Sequence, residues 1–272
     1  MLSTQINSGD GVPGNRAFVT TSWDDGDRKD LKLAELLASK GLPATFYITA
    51  GNVANRSAIA PSELCELSKA GFEIGAHTVT HPVLTEIDDA TLRREVTQSK
   101  HLLQELLGQE VTSFAYPKGR YNAKVVARVS EAGYRCARGV RLLSVSSNFP
   151  FFEMPVTVQA FPHSPMNYVK NLIRRGQVVS LARNSLAIAR AKSWVELGKA
   201  LFDRVLQHGG VWHLVGHSWE TEKLGDWAQL REMLDYVAGR AGVLYLTNGQ
   251  LCEALRTDMS TANAPHGVLG TR

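Results

Sequence analysis

The chain has 272 residues, 44% of them hydrophobic and 21% charged, with 30 Lys and Arg against 26 Asp and Glu for a formal net charge of +4. That length and apolar content suit one large domain with a substantial core, and no apolar run approaches the about 20 residues a bilayer crossing needs. The small positive excess is scattered, with short pairs such as Arg93-Arg94 and Arg174-Arg175, and lacks the basic stripe of a nucleic-acid binder.

Three cysteines, Cys65, Cys136 and Cys252, are an odd count without paired spacing. This argues against a disulfide framework and fits a reducing compartment. The opening residues MLSTQINSGDGVPGNR contain no apolar h-region, so the expectation is a cytoplasmic protein without signal peptide.

Residues 1–15 and 257–272 are rich in Gly, Ser, Thr, Asn and Pro and read as flexible ends around a domain spanning 16–256. Within it, strand and helix patterns alternate. Residues 17–23 read as a strand. Residues 30–40 carry Leu31, Leu33, Leu36 and Leu37 at helical spacing. A β-branched and aromatic strand (44–49), a short helix (61–70) and a strand (72–76) follow. A long amphipathic helix covers 88–107 and stops at Gly108.

The alternation continues with strand 113–116, helix 122–132 and strand 134–138. It resumes with strand 156–161, helix 193–207, strand 211–215, helix 227–237 and strand 243–246. Residues 162–192 are the least periodic and read as an insertion. Seven or eight strands in β-α alternation predict an α/β fold with a mostly parallel sheet, closed into a (β/α) barrel. Functional residues of such barrels lie at the C-terminal strand ends. Here those ends are Asp24-Asp25, His77, Tyr116-Pro117-Lys118-Gly119, Arg138 and His217.

In "GAHTVTH", His77 and His81 are four apart after a strand. One helical turn would place both imidazoles on one face. Thr78 stands where an H-E-x-x-H protease carries its base, so a third ligand and a base must come from elsewhere. Asp24 and Asp25 offer both, and two His with one carboxylate make an open catalytic zinc site. Alone, D-D-G is a common turn whose carboxylates cap a following helix. Pro117 and Gly119 fix a tight turn whose backbone N–H groups can face a developing oxyanion. In "GHSWE" the fifth position of a nucleophile elbow is Glu220, not a small residue, which argues against Ser218 as a nucleophile.

From about Phe18 to about Leu246 these segments resemble the polysaccharide deacetylases of the NodB-homology group, carbohydrate esterase family 4. The family's T-F-D-D-G stands here as Ser22-Trp23-Asp24-Asp25-Gly26, and its H-[ST]-x-x-H as His77 to His81. Its R-x-P-Y-G has become Ala115-Tyr116-Pro117-Lys118-Gly119, which lacks the arginine that orients the base; Arg138 is the candidate replacement. The family's Asp-Trp motif is not recognisable, and its last motif matches Leu214 to His217 loosely.

The resemblance implies a distorted (β/α) barrel and metal-dependent removal of N-acetyl groups from an amino-sugar glycan or glycan precursor. It implies Asp25, His77 and His81 as ligands of a divalent metal, most often zinc, and Asp24 as base. It also implies the Lys118 backbone N–H as oxyanion donor and His217 as acid. Tyr116 and Trp219 are candidate substrate contacts. Two alternatives remain: hydrolysis of another C–N bond or of O-acetyl esters, and a catalytically degenerate carbohydrate-binding protein.

Overall fold

The computed structural model describes residues 16–52, 57–163 and 187–262. The first 15 residues, most of 162–192 and the end of the predicted tail therefore lie outside the described residues.

The sheet is built around β1 (Ala17–Asp25), whose sequence AFVTTSWDD is buried along nearly its whole length. Residues 17–23 of β1 pair with β7 (Gly210–Gly216) on one edge. On the other edge its last four residues pair with β2 (Thr45–Ile48) and its first three with β8 (Val243–Tyr245). Beyond β2 follow β3 (Glu73–Ala76), β4 (Ser113–Ala115) and β5 (Cys136–Arg138), and beyond β7 lies β6 (Val158–Gln159). Every pairing is parallel. A parallel bridge between Arg138 and Met154 brings the segment leading into β6 back against β5, so the sheet curls into a distorted barrel.

Parallel strands need helical crossovers. These are α1 (Asp30–Ser39), α2 (Pro61–Lys69), α3 (Asp89–Leu107), α4 (Ala123–Glu131), α5 (Trp194–His208), α6 (Ser218–Leu224), α7 (Trp227–Val237) and α8 (Asn248–Ala262). Their boundaries follow local chemistry. The Asp88 carboxylate accepts from Thr91 N–H at 2.9 Å to open α3, and left-handed Gly108 closes it. Asn122 and Ser193 cap α4 and α5 in the same way. Among the described residues no helix is long and apolar enough to cross a membrane.

Alternation along β1 divides the interior into layers. Phe18 joins Val211, Leu251 and Leu255 in an apolar plug closed by α8. One step up, Thr20 Oγ1 donates to Asn248 Oδ1 at 2.8 Å, and Asn248 Nδ2 donates to the Tyr47 hydroxyl at 2.9 Å. Next, Ser22 Oγ meets His213 Nε2 at 2.8 Å. The His213 Nδ1–H donates to Pro155 O at 2.9 Å, so Nε2 is the acceptor. Asp24 tops the column. Val19 and Trp23, on the opposite face, belong to the main apolar core under the helices. Gly216 is required here, because a Cβ on it would sit 2.6 Å from the Trp23 ring.

Three local expectations change. The strand expected over 156–161 contracts to β6, because Ala160 and Phe161 leave the ladder in a bend. The short helix α6 starts directly after His217, where only a strand end was expected. Helix α8 continues to Ala262, past the composition change at Thr257. Arg16, just before β1, ties it down by donating to Asp258 at 3.0 Å.

Candidate active site

Because all strands run the same way, their C-terminal ends open at one mouth. Asp24 keeps the inward direction set by the strand and is 5% exposed. Asp25 has φ 82 and Gly26 φ 70, so the chain turns at Asp25, breaking the alternation. A non-glycine residue held in the left-handed region is strained, and such strain clusters at functional sites.

His77 and His81 do not share a helical turn. The segment between them is irregular, with Thr78 at φ 67 and His81 at φ 60. This corrects the expected mechanism of their approach. A left-handed turn, not helical periodicity, brings the rings to 4.8 Å between centroids. His77 Nδ1–H donates to Ala115 O at 2.7 Å, which fixes the tautomer and leaves the Nε2 lone pair facing the mouth. Burial holds the His77 pKa down near 4, against the raising effect of Asp24 and Asp25, so the imidazole is neutral. Nε2 of His77 and of His81 lie 3.9 and 3.6 Å from Asp25 Oδ1. One donor atom from each of the three residues falls within 4.8 Å of the others. Two imidazole nitrogens and one carboxylate oxygen, half-open to solvent, fit a divalent cation with vacant coordination positions.

Arg138, 0% exposed, donates through Nη2 to Asp24 Oδ1. Its guanidinium also lies 5.2 Å from the Tyr47 ring centroid. Burial alone would raise the Asp24 pKa, but Arg138, with His77 and His217, overcomes it and holds the value near 2. The arginine thus arrives from β5, the neighbour of the strand that ends in Ala115.

On the other wall, His217 Nε2 lies 4.0 Å from Asp24 Oδ2 and 3.9 Å from Asp25 Oδ2. Its Nδ1 is 2.6 Å from Glu220 Oε2. Burial opposes protonation of His217, yet the Glu220 hydrogen bond and the charges of Asp24 and Asp25 raise its pKa to about 9. Trp219, 36% exposed, donates from Nε1 to Asp25 Oδ2 at 3.0 Å. That leaves Oδ1 as the oxygen facing the histidines. A cleft of about 340 Å³ adjoins the triad, lined among others by Asp25, Asp27, Asn52, Ser57, His81 and Trp219.

Lys118 has φ 54 in a turn closed by Gly119 N–H to Tyr116 O at 2.8 Å. Its side chain is exposed. Tyr116 requires correction as a substrate contact. It is 1% exposed, stacked on Tyr121 at 4.5 Å between centroids, and its hydroxyl donates to Phe152 O at 2.9 Å. Apolar packing of the ring outweighs its place beside the mouth, so it braces the wall.

Two residues escaped sequence reasoning. Glu220 carried a readable signal, since it stands three residues after His217 at a helix start. Glu95 carried none. Its carboxylate reaches from α3 to the turn between the histidines, accepting from Val79 N–H and Thr80 N–H at 2.9 Å each.

The fold and this mouth define the class of protein: a parallel (β/α) barrel with an Asp-His-His donor set beside an arginine-paired carboxylate. Residues 11–137, a stretch just under half of the chain, match the family model for polysaccharide deacetylase. That stretch contains Asp24, Asp25, His77, His81 and Lys118; Arg138, His217 and Glu220 lie beyond it.

The chain is 28% identical over 119 residues to a chitooligosaccharide deacetylase of Rhizobium leguminosarum bv. trifolii, covering 43% of this chain and 54% of that protein. It is 27% identical over 126 residues to a peptidoglycan-N-acetylglucosamine deacetylase of Bacillus cereus, 46% of this chain and 57% of that protein. The chain spans about half the length of the curated relatives it matches. Among solved structures it is similar to a Mycobacterium smegmatis protein assigned to the polysaccharide deacetylases, with a TM-score of 0.62 and 17% identity over 96% of this chain and 97% of that one. It is also similar to a family 4 carbohydrate esterase from Streptomyces lividans, with a TM-score of 0.53 and 19% identity over 84% and 91% of the two chains. At these identities the structures speak to the fold.

Proposed function

We propose that the protein is a metal-dependent deacetylase that removes N-acetyl groups from an amino-sugar glycan or glycan precursor. The observation that carries this reading is the convergence of Asp25, His77 and His81 at one mouth, flanked by Asp24 and His217. Relatives named for chitooligosaccharide and peptidoglycan N-acetylglucosamine deacetylation support the substrate class.

Asp25, His77 and His81 would hold the cation, with zinc the metal that best suits this donor set. When bound, the cation supplies Lewis-acid polarisation of the acetyl carbonyl and lowers the pKa of water at the site. Asp24, kept ionised by Arg138, accepts the proton of the attacking water. The Lys118 backbone N–H, presented by the turn after β4, donates to the carbonyl oxygen as negative charge develops. His217, kept protonated by Glu220 and the two aspartates, gives its proton to the departing amine. The Trp219 ring offers an exposed face to the sugar.

A proton donor at His217 suits amide cleavage, because an amine leaves only after protonation. The test is acetate release from N-acetylglucosamine oligosaccharides by the purified protein, with and without a chelator. Acetate release that persists in the chelated protein, or none from any acetylated glycan after zinc is added, overturns the reading.

A further inference from the structure

Glu95 is 4% exposed, and carboxylates are seldom buried unless paired. Its partners are three donors on the turn between His77 and His81. Oε2 accepts from Val79 N–H and Thr80 N–H at 2.9 Å each, and Oε1 accepts from Thr80 Oγ1 at 2.8 Å. No other side chain on α3 reaches this turn with a hydrogen bond among the described residues.

The turn needs that support. Thr78, at φ 67, is a β-branched residue in the left-handed region, and His81, at φ 60, is a second residue there. A β-branched residue there is a genuine outlier, and such strain persists only where the surroundings over-determine it. The surroundings here act from two sides. Ala50 N–H donates to Thr78 O and Gly51 N–H to Val79 O, each at 2.9 Å, and so hold the carbonyls. Glu95 holds the amides. Inside the turn, Thr78 Oγ1 accepts from His81 N–H at 3.0 Å. Removing Glu95 strands two amides without an acceptor and takes away one of the two supports of the strained turn. His77 is fixed independently through Ala115 O. His81, half-buried and 3.6 Å from Asp25, is the ligand free to move.

We propose that Glu95 is a positioning residue of the metal centre: its three hydrogen bonds hold the strained turn that keeps His81 beside His77 and Asp25, and so set the affinity for the divalent cation. This rests on the reading of Asp25, His77 and His81 as ligands. The side-chain chemistry separates a hydrogen-bonding role from a charge or packing role. Glu95→Gln retains one oxygen for both amides, and its amide nitrogen can donate to Thr80 Oγ1. Glu95→Leu fills similar space and makes none of these bonds. Thr80→Val removes one bond of the three and leaves the carboxylate on the two amides.

The experiment is zinc titration of the chelator-stripped full chain against a chromophoric chelator, with hydrogen exchange read at Val79 and Thr80. Glu95→Leu is expected to bind zinc about 10–100-fold more weakly, the usual effect of losing an outer-shell partner. Exchange should accelerate at Val79 and Thr80 while the α3 amides keep their protection. Glu95→Gln should stay close to wild type, with Thr80→Val between the two. Wild-type affinity in Glu95→Leu, or a loss in Glu95→Gln equal to that in Glu95→Leu, overturns the proposal and leaves the ligand assignment standing. Should Glu95→Leu fail to fold, Thr80→Val decides: affinity equal to wild type overturns the proposal. Absence of zinc binding by the wild type overturns the ligand assignment itself, and the role of Glu95 with it.

Discussion

Replacing Arg138 with leucine tests the site where stability and chemistry meet. Both partners are buried, with the Arg138 side chain 0% and the Asp24 side chain 8% exposed. The leucine fills much of the space but takes from the Asp24 carboxylate its hydrogen-bonded cation, leaving only the more distant His217 charge. Breaking a buried pair in this way costs about 3–5 kcal/mol, a large share of the roughly 5–15 kcal/mol by which a domain is stable. Urea unfolding at pH 7, followed by circular dichroism, should show that loss as a lower midpoint at unchanged slope.

The double variant with Asp24→Asn isolates the cause. A neutral amide is far cheaper to bury than a charge. The double variant should therefore recover about 2 kcal/mol or more relative to Arg138→Leu, and a cycle built from the two single variants should show coupling of that order. In the single variant the carboxylate is also no longer held in place, and acetate release should fall about 100-fold, as misplacement of a reacting group does. A loss below about 1 kcal/mol in Arg138→Leu, or strictly additive single variants, would refute the argument that this pair holds Asp24 ionised and in place.

Four further outcomes are expected. Asp25→Ala and His77→Ala should abolish zinc binding measured by chelator competition, and unchanged affinity would remove them as ligands. Trp219→Phe keeps an aromatic face but loses the N–H to Asp25 Oδ2; zinc affinity should drop several-fold, about 1 kcal/mol for one hydrogen bond, with little change in melting temperature. His213 is held neutral, chiefly by burial, with its pKa lowered from 6.5 to about 3. The unfolded chain therefore binds the extra proton below 6.5, and stability should fall by about 1.4 kcal/mol per pH unit on acidification from there. Urea midpoints between pH 7 and 5 should show a shallower slope in His213→Gln, and equal slopes would count against it. Gly216→Ala forces a Cβ against the Trp23 ring at 2.6 Å and should lower stability by about 1–3 kcal/mol, read from the same unfolding curves.

The sequence by itself determined the alternation of elements, the parallel barrel and the strand ends worth inspecting. These are written in local periodicity, in caps such as Asp88 and Asn122, and in stops such as Gly108, each of which acts within one turn or one strand. It also paired D-D-G with H-T-V-T-H, because those residue types at the ends of two strands of one parallel sheet have few other reasons to occur together.

Tertiary structure decided what lies between them. The approach of His81 to His77 depends on a turn with left-handed residues held by Glu95, 15 and 16 positions beyond the amides it accepts from, and no local pattern encodes that reach. Tyr116 stands in a motif at the mouth, yet packing against Tyr121 and the bond to Phe152 turn it into the wall. Arg138 meets Asp24 across 114 residues because parallel register brings every strand to the same rim. Contacts of that kind depend on how the strands curl around one another, a global property to which each local segment contributes only its own direction.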